Sequence, residues 1–548
     1  MPKIRVSAIQ LAVTSDVDEN LATCLRLIDQ AAENNPDVMV LPEFINHIMW
    51  FDDAEHSYEK SVDLDGDFLA AIGAKAKEHH CYIKVNVTLR RGEVGKVTGT
   101  NILFDPNGDI VAVTDKQVLM GNENNFLYPA TEPAKIVHTS SGSFGMYCCM
   151  DGVIPEPARA LAVQGANILL NSLNSFALDE ASLHIPVRAG ENKVFIVAAN
   201  KVGELVPPVM AQVVAEKLKI PVESVVGAGE SQIVAPDGTV LAKAPRIGEA
   251  IIYADIDMDD ADKKKRPDGT DIISSRRPHL YKPIAASPPE EPVFTESAAR
   301  VEAAVYQPAS SGESASEEII RTVQKAVQEG IQLLVLPELS SPSTAEIQSA
   351  LKVSDMVVAT SVQEDNAHVG VLIGEDGVLL KQSQLHACGR HPWATDLGDT
   401  LNVIDLPWGR FALIVGGDVI YPEVFRLAVL QDVQVVACPT KILEGWEFET
   451  GWIERAAENR MNVVFATQPS DVGAGMIVAM DKDFTLWTQW EKPFDGNINY
   501  PLVTRAERAS GLVRAPIFPA VTSNRVISQK TDLVVNRPWW LAKGIISN

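Results

Sequence analysis

Basic residues are scarce in this chain. Across 548 residues, 47 lysines and arginines face 72 aspartates and glutamates, a formal net charge of −25. Binding a phosphate backbone needs a basic surface, so this balance argues against a nucleic-acid partner. Cysteine is sparse too: six residues with no metal-type CxxC spacing. That excludes a disulfide framework as an expectation, fits reduced thiols, and offers no cysteine set for a metal. Long apolar runs are missing, and none approaches the roughly 18 residues of a membrane span. The opening MPKIRVSAIQLAV reads as a charged strand rather than a signal sequence. Together these absences predict a soluble, cytoplasmic protein with neither membrane nor nucleic acid as partner.

What is present is a repeat. Shifted by 267 residues, Phe144 meets Phe411, Asp151 meets Asp418, and Pro155-Glu156 meets Pro422-Glu423. Arg159 meets Arg426, and RAGEN from Arg188 meets RAAEN from Arg455 without a gap. Each half also ends alike, TDIISSRRPHLY around Arg277-Pro278 and TDLVVNRPWWL around Arg537-Pro538. Two homologous domains are expected, which suits a length too great for one compact core.

The seam falls in AASPPEEPVFTES, whose prolines, acids and small residues lack any period and read as a stiff linker. The expected division is therefore residues 1–284, a linker over 285–297, and residues 298–548. Within the first part, RVSAIQL, DVMVL, CYIKVNV, NILF and IVAVT are strand-like, while 19–33, 67–79, 156–164 and 180–192 fit helices. PNG at Asn107-Gly108 and PDG at Asp237-Gly238 mark tight turns. This mixture implies a layered α/β domain. After Gly203, the stretch ELVPPVMAQVVAEKLKIPVESVVGAG breaks the strand pattern and reads as a surface insertion or a short helix near a pocket mouth.

Three chemistry-bearing residues stand at strand ends. Glu43 stands in VMVLPEF just after VMVL, Lys116 follows IVAVTD, and Cys149 closes FGMYCC ahead of a helix opening at Pro155-Glu156. Ends of buried strands are where α/β proteins place reacting groups. A thiol beside a helix N-terminus is expected to shift toward thiolate. Strand alternation turns the neighbouring Cys148 inward, and its repeat partner is Val415, an apolar position. The second half keeps Glu338 but has Gly416 where Cys149 stood. No lysine lies at 383–386, and Lys381 comes several residues early. His79-His80-Cys81 is no ligand set, because consecutive residues face apart.

The LPE glutamate, the intervening lysine and CxDxxxPExxR, followed by RAxEN, GESQIVAPDG and RRPHLY, resemble the nitrilase or carbon-nitrogen hydrolase superfamily over nearly all of residues 1–284. The resemblance implies a four-layer α-β-β-α sandwich, here in two tandem copies packed as a pseudo-dimer, with further homo-oligomerisation open. It also implies cofactor-free hydrolysis of amides, nitriles or carbamoyl groups through a thioester, with Glu43, Lys116 and Cys149 as the reacting set. Glu123 in MGNENNF resembles the family's second, substrate-positioning glutamate, and the Met150 amide is expected to face the oxyanion. CMD rather than CWE at the nucleophile, and Gly152-Val153-Ile154 without arginine, resemble amidases more than nitrilases or carbamoylases. The expected substrate is a small, neutral, linear amide. A carbamoylase, a nitrilase and a non-catalytic binding protein are the alternatives.

Overall fold

The computed structural model describes residues 3–288, 296–309, 313–340, 342–485 and 490–547. The linker expected over 285–297 lies mostly outside them. The chain forms two compact units that are not sequence halves. Unit 1 comprises residues 1–263, 483–499 and 526–545; unit 2 comprises 264–482, 500–525 and 546–548. The end of each sequence half has thus gone to the other unit.

Unit 1 is built on two six-stranded sheets. The first runs Ala250–Asp257, Lys3–Gln10, Val38–Val40, Tyr82–Arg90, Val97–Phe104, Ile110–Asp115. The second runs Val240–Lys243, Gln232–Val234, Phe195–Ala199, Ile168–Ser172, Gly142–Cys148, Val137–Thr139. In each, the central strands pair in parallel and the outer ones antiparallel. Parallel central strands are buried on both faces, which is why VMV and FIVAA read as unbroken apolar runs rather than alternating ones.

Three apolar layers follow from that. Ile4, Val6 and Val38 of one sheet meet Phe144, Ile168 and Val197 of the other. The opposite face of the first sheet, with Ile9, Met39 and Ile83, takes Leu27, Ile28 and Ile72 from helices Val17–Ala32 and Asp67–His79. The outer face of the second, with Tyr147, Leu169 and Ile196, takes Ala158, Leu161 and Ala189 from helices Pro155–Val163 and Ile185–Asn192. The result is the four-layer α-β-β-α sandwich. Unit 2 repeats it: strands Gly511–Ile517, Val301–Gln307, Leu333–Val335, Val357–Glu364, Ala367–Gly374 and Gly377–Ser383 reproduce the first sheet's order. Leu502–Arg505, Met476–Ala479, Asn462–Ala466, Val435–Pro439, Gly409–Leu413 and Val403–Leu406 reproduce the second.

The exchanged ends carry similar ion pairs, although the arginine used in unit 2, Arg276, precedes by one residue Arg277, the counterpart of Arg537. In unit 1 Arg537 lies 3.7 Å from Glu156, and in unit 2 Arg276 lies 3.0 Å from Glu423; all four side chains are buried. Glu156 and Glu423 are the repeated glutamates of the PE turn, so each sandwich receives its arginine from the other half of the sequence. No helix among the described residues is long and apolar enough to cross a membrane.

Candidate active site

Glu43, Lys116, Glu123 and Cys149 come together at the strand ends of unit 1. Lys116 Nζ donates to Glu43 Oε1 at 2.8 Å and to Glu123 Oε1 at 2.8 Å, with Lys116 and Glu43 wholly buried. Glu123 is oriented in turn by the Met120 amide, 2.9 Å from its Oε2. Burial opposes the lysine's charge, yet the two flanking carboxylates outweigh it and hold the ammonium well above its ordinary range. One cation between two carboxylates leaves one negative charge in excess. Burial, together with the like charge of Glu43, accordingly raises Glu123 to about 7.

Cys149 sits between strand Gly142–Cys148 and the short turn Met150–Val153 in a conformation rare for a side-chain-bearing residue, φ 47° and ψ −112°. Such backbone costs about 1–3 kcal/mol and persists only where its surroundings enforce it. The enforcement is visible. The Cys149 amide donates to Ser172 O at 3.0 Å, and Arg188 donates to the carbonyls of Gly152 and Val153 at 2.8 and 3.1 Å. Asp151 accepts the Gln117 and Val118 amides at 3.1 and 2.8 Å, tying the nucleophile turn to the lysine strand. Met150 is fully buried and begins that turn, immediately after the thiol residue.

The expected thiolate is overturned. Burial, and next the Glu43 carboxylate, push the Cys149 thiol well above its ordinary value, against the smaller pull of Lys116. The adjoining turn has four residues, too short to sum a useful dipole. Cys149 therefore rests as a thiol and needs a base. Cys148 points inward: its Sγ lies 3.6 Å from Asn101 Nδ2, and it is fully buried.

Two features escaped the sequence reading. Glu180 Oε1 lies 3.9 Å from Cys149 Sγ, on a π-helical turn, Glu180–His184, that opens the helix expected over 180–192. Such wide turns favour functional positions. The repeat was the available signal, since a shift of 267 carries Glu180 onto Glu447, on the matching π turn Glu447–Gly451. The second feature is Lys201, buried to 1% exposure with Nζ 5.9 Å from the Phe44 ring centre, while Lys116 Nζ lies 5.5 Å from the same ring. Burial lowers Lys201 to about 7.

Cys149 and Glu123 open onto a cavity of about 210 Å³. Its walls include Leu205, Val206, Val214 and Leu218, so the insertion after Gly203 does fold as a helix, Pro208–Leu218, at the pocket. Among the described residues, ligand-type side chains gather in two other places, Glu338–His368–His391 and Asp29–Glu78–His79. In each a protein cation already holds the carboxylates. Arg390 takes both oxygens of Glu338 at 2.9 Å, and Lys75 takes Asp29 and Glu78 at 2.7 and 2.8 Å.

Residues 5–266 match the family described as carbon-nitrogen hydrolase. Over those residues the chain is similar to that family. Curated relatives of this half include a nitrilase from Pyrococcus abyssi, 26% identical over 265 residues, spanning 48% of this chain and 93% of that protein. An N-carbamoylputrescine amidase from Solanum lycopersicum is 25% identical, over 53% of this chain and 97% of its own length. Among solved structures, the amidase from Nesterenkonia sp. AN1 aligns at 21% identity and a TM-score of 0.41, over 51% of this chain and 96% of that one.

Proposed function

We propose that unit 1 is a cysteine-dependent amidase that hydrolyses the C–N bond of an uncharged linear amide through a thioester, with Glu43, Lys116 and Cys149 as its reacting groups. The observation that carries this reading is the buried Lys116 ammonium between Glu43 and Glu123, beside a thiol that opens onto a cavity.

The steps follow from the protonation states. Glu43 removes the thiol proton as Cys149 Sγ bonds to the amide carbon, because a buried thiol does not ionise unaided. The carbonyl electrons move onto oxygen, where Lys116 and the Met150 amide offset the charge. On collapse the C–N bond breaks and Glu43 delivers its proton to the departing ammonia or amine. Water then attacks the thioester, Glu43 takes its proton, and the thiol leaves with that proton as the acid is released. Glu123 holds Lys116 in place and supplies the second carboxylate near the substrate nitrogen. Free thiols at all six cysteines suit the reducing conditions of a cytoplasm.

Ammonia release from matched amides, nitriles and carbamoyl compounds tests the reading. Amides should turn over fastest, and neutral ones faster than partners bearing a free carboxylate. A clear preference for nitriles or for acids would sink it. Mass spectrometry after an electrophilic amide analogue should place the adduct on Cys149; a label on Cys148 would overturn the nucleophile.

A further inference from the structure

The cavity at Cys149 combines carboxylates with hydrocarbon walls. Near the thiol stand Glu180 and Asp179, the latter accepting the Ile498 and Asn499 amides at 3.2 and 2.6 Å. No lysine or arginine lines the cavity among the described residues. The apolar walls are Leu205, Val206, Val214, Leu218, Ile498 and Ile527. The first four come from the insertion. The last two come from segments 483–499 and 526–545, which belong to unit 1 although they lie late in the sequence. Both segments are fastened to the site itself: the Leu178 amide donates to Gly496 O at 2.9 Å, and Thr531 Oγ1 donates to Leu119 O at 2.8 Å.

Unit 2 shows what Ile527 replaces. There the bridge between Lys265 and Asp271 corresponds to the pairing of Val526 with Asp532, which puts Arg266 at the place of Ile527. Arg266 is buried and bound to Glu447, the counterpart of Glu180, and to Glu444 at 3.0 Å. One position thus holds an ion-paired arginine in one copy and an apolar wall in the other. A cavity of roughly 150 Å³ with apolar walls holds a benzene-sized guest, and the cavity here is about 210 Å³.

We propose that unit 1 selects uncharged primary amides carrying an apolar chain of about six carbons, and that Ile498 and Ile527 set this preference. The proposal deepens the amidase reading and rests on it. Because these walls are hydrocarbon, each methylene packed against them should raise kcat/KM about four-fold, roughly sixty-fold from propionamide to hexanamide. With no lysine or arginine beside them, these walls should also reject a carboxylate at the far end of the substrate chain, so adipic acid monoamide should turn over more slowly than hexanamide.

The test uses the full chain and the series acetamide, propionamide, butyramide and hexanamide, with adipic acid monoamide as the charged isostere. Ile527→Arg, which copies unit 2, should cut the hexanamide-to-propionamide ratio at least ten-fold. Ile527→Leu should keep most of it. If Ile527→Arg does not fold, Ile498→Ala serves instead, and its optimum should move to longer chains. A flat or falling chain-length profile in the unsubstituted protein would overturn the proposal, as would a ratio unmoved by either variant. Binding of the same amides to Cys149→Ala, by calorimetry, separates the two readings. Tighter binding of hexanamide with no turnover by the unsubstituted protein would keep the pocket and reject the chemistry. Turnover with acetamide bound as tightly as hexanamide would do the reverse.

Discussion

The two sandwiches share a scaffold and differ where charge would have to work. Backbone bonds establish which residues correspond. The Lys116 amide donates to Gly99 O and its carbonyl accepts from Ala130; the Gln384 amide donates to His368 O and its carbonyl accepts from Gly398. Asp418 accepts the amides of Leu385 and His386 as Asp151 accepts those of Gln117 and Val118. Gln384 therefore stands where Lys116 does. Gly416, at φ 59°, stands where Cys149 does, and Leu339, at φ 52°, repeats the strained Phe44, at φ 51°, after the glutamate. Glu338 survives, but Arg390 grips both its oxygens. Arg390, and next His391 and His368, hold this carboxyl below its usual range against the pull of burial. In unit 1 a shared lysine leaves a carboxylate able to exchange protons; in unit 2 an arginine clamp leaves a neutralised pair. The features retained are those that fix the backbone, and those changed are the ones that move protons.

The sharpest break in the comparison is the nucleophile. Cys149→Ala should abolish turnover, a fall on the order of 10⁴-fold or more, while Cys148→Ala keeps a substantial part of it; steady-state assays on the two purified variants decide. Next comes separation of the halves. Residues 1–284 expressed alone lack Ile498, Ile527 and the arginine that faces Glu156. That fragment should aggregate, self-associate or lose activity, and residues 296–548 added in trans should rescue it. A monodisperse, fully active fragment by light scattering and assay would show that unit 1 needs none of the later chain.

Making unit 1 resemble unit 2 at one position is a smaller cut. Lys116→Gln should lower kcat about 10²–10³-fold by removing an oxyanion donor, and should cost about 3–5 kcal/mol of stability by leaving buried carboxylates without their cation. The opposite substitution, Gly416→Cys, should create no second site. A Cβ there would meet Gln384 Oε1 at 2.5 Å and the His368 ring at 2.8 Å, so about 1–3 kcal/mol of destabilisation is expected. Ammonia release in a Cys149→Ala background and a urea midpoint would check both statements.

The smallest effect is pH-dependent. Glu123 is raised to about 7 from 4.5, with burial the first cause. The folded state thus keeps a proton that the unfolded chain gives up. Its stabilising contribution is complete below about 4.5 and is lost as pH climbs to about 7. Glu123→Gln lacks that loss, so its stability relative to the parent should improve by ~1–3 kcal/mol between pH 5 and pH 8. Urea midpoints at the two pH values measure it, and an unchanged difference would reject the proton held by Glu123.

Much of this was legible in the sequence for identifiable reasons. Lys116 and Cys149 stand out because a repeat acts as its own control, showing which positions one copy can lose, and Glu43 because it follows a buried strand at its end. The sandwich follows from apolar runs at parallel strands and from helices whose buried stripes match the 3.6 period. The segment exchange was hidden. RRPHLY and NRPWWL look alike whichever glutamate their arginines meet, and a pairing between equivalent partners leaves no mark in composition. Gln384 was blurred by one residue of drift, since the 267 shift of the nucleophile strand lands on Ser383. The state of the Cys149 thiol depends on how deeply the fold buries it, which a local motif does not record.

The backbone at the nucleophile also bears on the distance between the two copies. A cysteine at φ 47° is held in a costly shape that only its use justifies. Glycine at the matching position of unit 2 carries no such strain, and Gln384 and His368 occupy the space a side chain there would need. A reacting group at that position would demand strain, eviction of those neighbours and a lysine, all together. A sandwich built with glycine at this turn therefore stands more than one substitution away from one that holds a thiol there.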